Sequence, residues 1–362
     1  MIRLNKNKIP LIFKITLPLF LACLALLFIS EISVRAADFL NDTVCAYFRG
    51  FMGKIFDFLP FSFFECLIIL LPVIIFLVVL FAVRAYKAQG GVRFILTLLS
   101  VALIIASEYI LALSISYNTT PSYTKMSVDI VEVNAENLYD TLIILRDEVN
   151  TLSGNIEYFD GKSNIDCSSR ELGDMIVEAF SKLNEDASVL NEFSTRPKSI
   201  FFGKAMSYLS LLGIYTFYTG EANVNSQYPD YDRVFCSAHE MSHQRGIMRE
   251  DEANFIAYAA LSASDDPYLR YSAALSMLEY IGSALYRTDK ELYYEAMSGL
   301  DERALSDIKA SNEISRKYSD TILSDISRFF NDMFLKSNGT PGIVSYGMVV
   351  RIAVSYVQSQ SN

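Results

Sequence analysis

The only two histidines of this 362-residue chain stand four positions apart, in the segment His239-Glu240-Met241-Ser242-His243. Residues four apart on a helix lie on one face, one turn above the other. The two imidazoles can therefore bind one metal ion, and zinc is the usual ion for nitrogen and carboxylate ligands. Two histidines placed at random would show this spacing only about once in 180 trials. The pattern therefore predicts a metal site of the HExxH type.

A third ligand is expected from the acidic segment that follows. Gly246 can end the first helix in a left-handed conformation, after which the chain would turn into a second helix around Glu250. That turn could bring the Glu250 carboxylate under the histidines, with Glu252 as the alternative ligand. Asn254 lies four residues after Glu250 and could hydrogen-bond a ligand histidine.

The expected chemistry is hydrolysis of an amide bond. Three protein ligands leave one position of zinc for water, and zinc lowers the pKa of that water to about 7. Glu240, offset by one position from the histidine face, could take the proton of the water as a general base and return it to the leaving amine. Tyr271 and Tyr346 are candidate donors to the developing oxyanion, although each is also explained by packing.

These residues need a folded domain to position them, and residues 118–362 are predicted to form it. Helical periodicity favours helices near 135–151, 169–184, 203–211, 267–287 and 312–336. The aromatic and β-branched segment 213–225 is the best strand candidate. Its edge could bind an extended peptide, or the strand could simply pack on the histidine helix. The expected fold class is mainly α, with a helix-rich α+β domain and a short strand region before the HExxH helix.

Residues 1–117 are predicted to form a membrane anchor. Three apolar runs, 11–29, 66–83 and 94–117, each approach the roughly 20 residues that a helix needs to cross a bilayer. The first run could instead be a signal peptide, because basic residues precede it and 34–36 loosely resembles a cleavage site. An uncleaved span is the expected form.

Charge distribution predicts the orientation and excludes one class of partner. Residues 1–117 hold ten of the 31 Lys/Arg and six of the 41 Asp/Glu, so the remaining part is strongly acidic. Nucleic acid is therefore not expected as a partner. The loop 84–93 is basic without an acidic residue, which places it and the N-terminus in the cytoplasm. The domain 118–362 would then lie outside the cytoplasmic membrane.

The five cysteines show no CxxC spacing, and an odd number of them, Cys45, Cys167 and Cys236, would face outward, which argues against a disulfide framework. A bridge between Cys167 and Cys236 remains open. Cys236 stands three residues before His239 and could approach the metal, but a buried apolar role fits it better.

Two resemblances follow from these motifs. Glu250-x-x-Ala253-Asn254 resembles the second helix of gluzincin metallopeptidases, although gluzincins separate this glutamate from the second histidine by a longer insertion. The segment 239–258, with GEANVN at 220–225 and three apolar runs before it, resembles an uncharacterised bacterial family of three-span membrane proteins. This resemblance covers most of the chain. It implies a zincin-like, zinc-binding domain with a peptidase-like site.

The combined prediction is a membrane-anchored zinc metallopeptidase acting on a peptide or protein substrate beside the lipid bilayer. His239, His243 and Glu250 would bind Zn²⁺, and Glu240 would be catalytic. One alternative is a non-catalytic zinc-dependent sensor or scaffold that binds peptides or envelope fragments. A second alternative is an assembly factor with structural zinc, closed by Cys236 or Glu252 as a fourth protein ligand.

Overall fold

The computed structural model describes residues 9–187, 189–319 and 321–361, and helices dominate it. The helices are α1 Leu11–Ile32, α2 Val34–Leu40, α3 Ala46–Ile55, α4 Phe63–Gln89, α5 Gly91–Ala112, α6 Ser122–Lys125, α7 Ala135–Ser153, α8 Ser169–Ala187, α9 Gly203–Tyr208, α10 Asp230–Gln244, α11 Glu250–Ser262, α12 Pro267–Thr288, α13 Lys290–Met297, α14 Glu302–Ser319, α15 Ile322–Ser337 and α16 Val349–Ser361. A π-helical turn, Asn41–Cys45, and two 3-10 turns, Ser114–Asn118 and Gly342–Met348, join some of them.

Three helices near the N-terminus, α1, α4 and α5, are long and apolar enough to cross a membrane. Helix α4 leaves nearly all of its large apolar side chains uncovered by protein. Such a surface is unfavourable in water but suits hydrocarbon. These helices indicate a membrane protein, in agreement with the three apolar runs of the sequence.

The core of the helical domain is built around α11 and α12. Both helices are rich in alanine on their packed faces, and Ala257, Ala259 and Ala274 are fully buried. Small side chains allow close packing of α10, α11 and α12 with α7, α8 and α16. Helix α11 is buried on almost every side, so its first residue, Glu250, is held by a rigid element.

A small sheet precedes the histidine helix. Its strands are β3 Lys198–Ile200, β4 Gly213–Thr216 and β5 Glu221–Asn225; a separate antiparallel hairpin comprises β1 Glu157–Phe159 and β2 Lys162–Asn164. β5 lies in the middle, parallel to β3 and antiparallel to β4. The predicted strand 213–225 is therefore a hairpin, because the chain reverses between Thr216 and Gly220, where φ is +68°.

The sheet is joined to the start of α4 by reciprocal carboxylate contacts. The Glu221 carboxylate accepts hydrogen bonds from the backbone N–H groups of Phe63 and Phe64, each at 2.8 Å. In return, the Glu65 carboxylate accepts from the backbone N–H groups of Phe201 and Phe202, at 3.0 and 2.7 Å. The strand pair and the membrane helix therefore fix each other.

The predicted helices are mostly confirmed. Helices α7, α8, α9 and α12 correspond to the predicted ranges 135–151, 169–184, 203–211 and 267–287. The prediction of one helix over 312–336 is wrong. Thr321 forms a capping box with Ser324 and begins α15 separately from α14. The Thr321 side chain accepts from the backbone N–H of Ser324, and the Ser324 side chain accepts from the backbone N–H of Thr321.

The predicted boundary after residue 117 falls within the 3-10 turn Ser114–Asn118. Residues before it also pack against the helical domain. The Arg49 side chain of α3 lies directly beside Gly246, and Gly53 lies beside Thr195 and Gly220. The N-terminal third therefore contributes to the surroundings of the candidate site.

Candidate metal centre

Helix α10 presents both histidines on one face, as predicted. Their Nε2 atoms lie 3.1 Å apart, and the two rings are nearly perpendicular. Each histidine is 8% exposed. The two nitrogen atoms therefore point at a common, nearly enclosed position.

The turn after α10 sets the orientation of the second ring. Gly246 adopts φ +94°, and the backbone N–H groups of Gly246 and Ile247 donate to the carbonyls of His243 and Ser242, at 3.0 and 3.2 Å. This is the bonding pattern of a Schellman motif. The carbonyl of Ile247 lies 2.7 Å from Nδ1 of His243. Because a carbonyl only accepts, Nδ1 carries a hydrogen, and Nε2 is the ring nitrogen left to face a proton or a metal.

Glu250 is the first residue of α11, and the turn brings its carboxylate to the histidines. Its Oε2 atom lies 3.2 Å from Nε2 of His239 and 3.6 Å from Nε2 of His243. Ligands at about 2.0–2.1 Å from zinc in a tetrahedral site are separated by about 3.3 Å. The three candidate ligand atoms therefore have the spacing of three corners of such a site.

Burial supports the same interpretation. Glu250 Oε2 is buried and makes no hydrogen bond, and His239 Nδ1 is also without a partner among the described residues. Buried polar atoms are normally satisfied. A cation between the three side chains would give Glu250 Oε2 and both Nε2 atoms a partner. Of the described residues, His239, His243 and Glu250 form the one group of His, Cys, Asp or Glu that could hold a metal.

The electrostatics favour positive charge at this position. Burial acts to lower the pKa of His243, but the Glu250 carboxylate outweighs it and raises that pKa to about 9. Burial acts in the opposite direction on Glu250, yet His243 and His239 hold its pKa well below the usual range. Glu250 is therefore ionised inside the protein, and either a proton or a metal cation can balance it.

Glu240 lies next to this cluster and outside it. The side chain is 5% exposed, and it lies beside Gly213 of β4 and Cys236 of α10. Burial raises the pKa of Glu240, whereas the nearby histidines and the backbone N–H of Tyr215 act to lower it. A carboxylate with a raised pKa is suited to taking up and releasing a proton.

One edge of strand β4 borders Glu240, and no other described strand pairs with that edge. The N–H of Asn225 donates to the carbonyl of Leu212 at 2.8 Å. In an antiparallel ladder, bonded and non-bonded pairs alternate. The register therefore turns the backbone groups of Gly213 and Tyr215 away from β5 and toward the side where Glu240 lies. β4 is an edge strand within the described residues.

The remaining sequence candidates lie elsewhere. Glu252 accepts hydrogen bonds from Arg249 and from the backbone N–H of Ser122, each at 2.7 Å. It lies outside the ligand cluster, which consists of the candidate ligands His239, His243 and Glu250. Tyr271 donates to Asp307 at 2.8 Å in a separate buried group. The side chain of Tyr346 lies outside the described residues.

The two candidate cysteines are both free. Cys236 is buried beside Gly213 and does not join the ligand cluster. Burial raises the pKa of its thiol well above the ordinary value. Cys236 therefore packs in the apolar role that the sequence favoured.

Asn254 is buried one turn after Glu250, as expected, but no hydrogen bond joins it to either histidine among the described residues. It instead lies beside Tyr280 of α12. Tyr280 also faces the Glu250 carboxylate, and burial, followed by the charge of Glu250, raises the pKa of its phenol. No sequence pattern distinguished Tyr280, because 22 tyrosines are spread along the chain.

Residues 41–354 match the model of a family described as "Protein of unknown function (DUF3810)". The chain belongs to this family. The DUF3810 match begins after α1 and includes α4, α5, the sheet and every member of the ligand cluster, in agreement with the expected uncharacterised family. No curated protein and no solved structure matches the chain.

Proposed function

We propose that this DUF3810 protein is a membrane-anchored zinc metallopeptidase of zincin-like fold. The observation that supports it most is the convergence of His239, His243 and Glu250 on one buried point, with Glu240 beside that point but not aimed into it. This division matches the requirement for three ligands and one separate base.

His239, His243 and Glu250 would hold the ion through Nε2, Nε2 and Oε2. A bound zinc ion supplies Lewis acidity, which polarises a carbonyl and makes a water more acidic. Glu240 would accept the proton of the attacking water and deliver it to the amine of the leaving group. Burial favours this role, because the raised pKa of Glu240 brings the acid and base forms closer in energy.

The edge of β4 would hold an extended peptide through the outward N–H and carbonyl of Gly213 and the outward carbonyl of Tyr215, whose N–H faces Glu240. A peptide paired there would pass directly beside Glu240, since both residues border that carboxylate. The order of a strand hairpin, the histidine helix and the glutamate helix supports the zincin-like interpretation.

The low exposure of all four side chains, 8% or less, favours a second candidate. A non-catalytic zinc-dependent sensor or scaffold would need no open path for a substrate. Glu240 argues against this candidate, because a purely binding site requires no buried general base next to its metal.

The test uses full-length protein in nanodiscs. We expect one zinc per chain by mass spectrometry, and cleavage of a peptide library. Glu240→Gln should retain zinc and lose cleavage by at least about a hundredfold, whereas Glu250→Gln should lose zinc. Glu252→Gln is the matched control and should retain zinc. Absence of bound zinc in the parent, or undiminished cleavage by Glu240→Gln, would contradict the proposal; zinc without any cleavage would favour the sensor.

The predicted loop 84–93 is instead the end of α4, Gly90 and the start of α5. We further propose that this basic segment is cytoplasmic and that the helical domain lies on the other side of the membrane. The start of α4 and the end of α5 are joined to the helical domain, whereas the short connection between these helices is at the far ends. The excess of basic residues in this segment supports the assignment.

A further inference from the structure

Helix α15 exposes a continuous apolar face. Ile322 is 79% exposed, Phe329 and Phe330 are each 61% exposed, and Met333 is 52% exposed. These positions, together with Ile326, recur with the spacing of one helical face. The opposite face carries Ser324 and Leu335, which are fully buried against the protein. The apolar face therefore points directly away from the domain, where water would be an unfavourable neighbour.

The C-terminal end of α15 contacts the end of a membrane helix. Tyr109, in the last turn of α5, donates from its hydroxyl to Oδ1 of Asn338 at 3.0 Å. The ring of Tyr109 also packs edge-on against Phe334, with 6.3 Å between the centroids. Tyr109 thus fixes this end of α15 to the last turn of α5.

The N-terminal end is connected to the start of the other membrane helix. Thr321 donates to the carbonyl of Tyr208 at 3.2 Å. Tyr208 ends α9, which begins directly after Phe202. The N–H groups of Phe201 and Phe202 bind Glu65 in the first turn of α4. Both ends of α15 are therefore connected to the points where α4 and α5 meet the helical domain.

We propose that α15 lies flat in the interface of the membrane leaflet on this side, with its apolar face in the acyl region. The helix has 16 residues, which gives a length of about 24 Å and is too short to cross a hydrocarbon core of about 30 Å. An amphipathic helix with an unpartnered apolar face is the form that interfacial helices take. Phe201 and Phe202, which are 82% and 54% exposed, add apolar surface where the chain meets the first turn of α4.

The charges of α15 indicate which lipids matter. Arg328 pairs with Asp325 at 2.5 Å, and Lys336 pairs with Asp332 at 2.7 Å. Cations paired in this way contribute little net attraction to anionic headgroups. The apolar face therefore provides the main contact, and the position of α15 should not depend on anionic lipid.

The position of α15 bears on the candidate metal centre without depending on the metal. The 3-10 turn Gly342–Met348 follows α15 and packs on α11, which begins with Glu250. An interfacial α15 would place this turn, and with it the face of α11 on which it packs, close to the membrane surface. The proposal holds whether or not the centre proves to be catalytic.

The chain contains no tryptophan, so a single introduced tryptophan reports without background. Full-length Phe330→Trp and Ile326→Trp variants would be placed in nanodiscs of phosphatidylcholine with or without bromine on the acyl chains. The control is Phe159→Trp, because Phe159 is 76% exposed and its neighbour Tyr158 stacks on Arg303 in the first turn of α14. The first turn of α14 lies about 24 Å, measured along that helix, from the end of α14 that is next to α15.

We expect brominated lipid to quench the emission of both α15 variants at least twofold and to leave that of Phe159→Trp unchanged. Replacing a third of the lipid by an anionic species should alter the quenching less than twofold. Two results would overturn the proposal: quenching of both α15 variants by aqueous iodide but not by brominated lipid, or protection from both quenchers in a particle that holds two copies of the chain. The second result would assign the apolar face to a dimer contact.

Discussion

His243 donates its Nδ1 hydrogen to the backbone carbonyl of Ile247 at 2.7 Å, across the turn that Gly246 closes. One backbone turn therefore does two things at once. It ends α10 with a satisfied pair of carbonyls, and it fixes the ring whose Nε2 faces Glu250. The arrangement of the candidate ligands depends on this turn as much as on the ligands themselves.

The first prediction concerns Gly246. Its φ of +94° is unfavourable for any residue with a Cβ atom, and that atom would collide with the side chains of Arg49 and Asn41. Gly246→Ala should lower the free energy of unfolding by more than about 2 kcal/mol and should lower the zinc content. Gly339→Ala is the control, because Gly339 has φ +79° but open space around it. Equal thermal midpoints for the two variants by circular dichroism would contradict the role of the collision.

The second prediction concerns the approach of β4 to α10. A Cβ atom at Gly213 would collide with Sγ of Cys236 and with the carboxylate of Glu240. Gly213→Ala should therefore displace Glu240 and reduce cleavage at least about tenfold, with zinc retained. Gly50→Ala is a suitable control, because its nearest neighbour would lie 3.6 Å away in ordinary contact. Unchanged peptide turnover by Gly213→Ala would show that the base tolerates displacement.

The third prediction follows from a buried acidic pair behind the site. Burial raises the pKa of Asp232 to about 7, and burial together with the charge of Asp232 raises that of Glu279 to about 8. Tyr231 donates to Glu279 at 3.0 Å. In the unfolded chain both carboxyls titrate near pH 4, at about their reference values. The folded protein therefore binds more protons between about pH 4 and 8, and its stability should fall as the pH rises through this range.

Substituting both carboxyls should reduce this dependence. Between pH 5 and 8 the free energy of unfolding of the parent protein should fall. In the double variant Asp232→Asn and Glu279→Gln this fall should be smaller by at least about 1 kcal/mol. Thermal midpoints by circular dichroism at both pH values measure the difference. Glu291→Gln, at an exposed position on α13, should behave like the parent. A parent protein that becomes more stable toward pH 8 would contradict the assignment.

The fourth prediction concerns orientation in the membrane. A membrane-impermeant maleimide added to spheroplasts should label Phe159→Cys, because the helical domain is proposed to face outward and Phe159 is exposed. Lys87→Cys, in the last turn of α4 within the basic segment 84–93, should be labelled only after lysis. The parent protein provides the background from its five native cysteines. Labelling of Lys87→Cys before lysis would reverse the proposed topology.

The sequence predicted the local features of the site well. The spacing of His239 and His243, the positive φ of Gly246 and the start of α11 at Glu250 all follow from short-range rules of helix geometry and capping. The sequence predicts one strand over 213–225 where the structure has a hairpin, because residues suited to strands continue through the turn before Gly220.

Long-range pairings could not be predicted in the same way. Glu65 and Glu221 each bind backbone groups more than 130 residues away, and nothing in the local pattern of either residue identifies its partner. The orientation of α15 could not be predicted from the sequence for the same reason. Its apolar periodicity is visible in the sequence, but periodicity alone does not tell whether protein or lipid covers that face.

The reciprocal carboxylate contacts between α4 and the sheet also decide how this chain can be divided. A fragment beginning at residue 118 would leave Glu221 and Asn223 without their partners in 62–64, and would leave Lys198 without the carbonyls of 56, 57 and 59. Removing one side of a buried polar contact costs more than the contact contributes when it is intact. Residues 56–64, which lead into α4, are thus part of the structure of the helical domain, and the two parts should fold and unfold together.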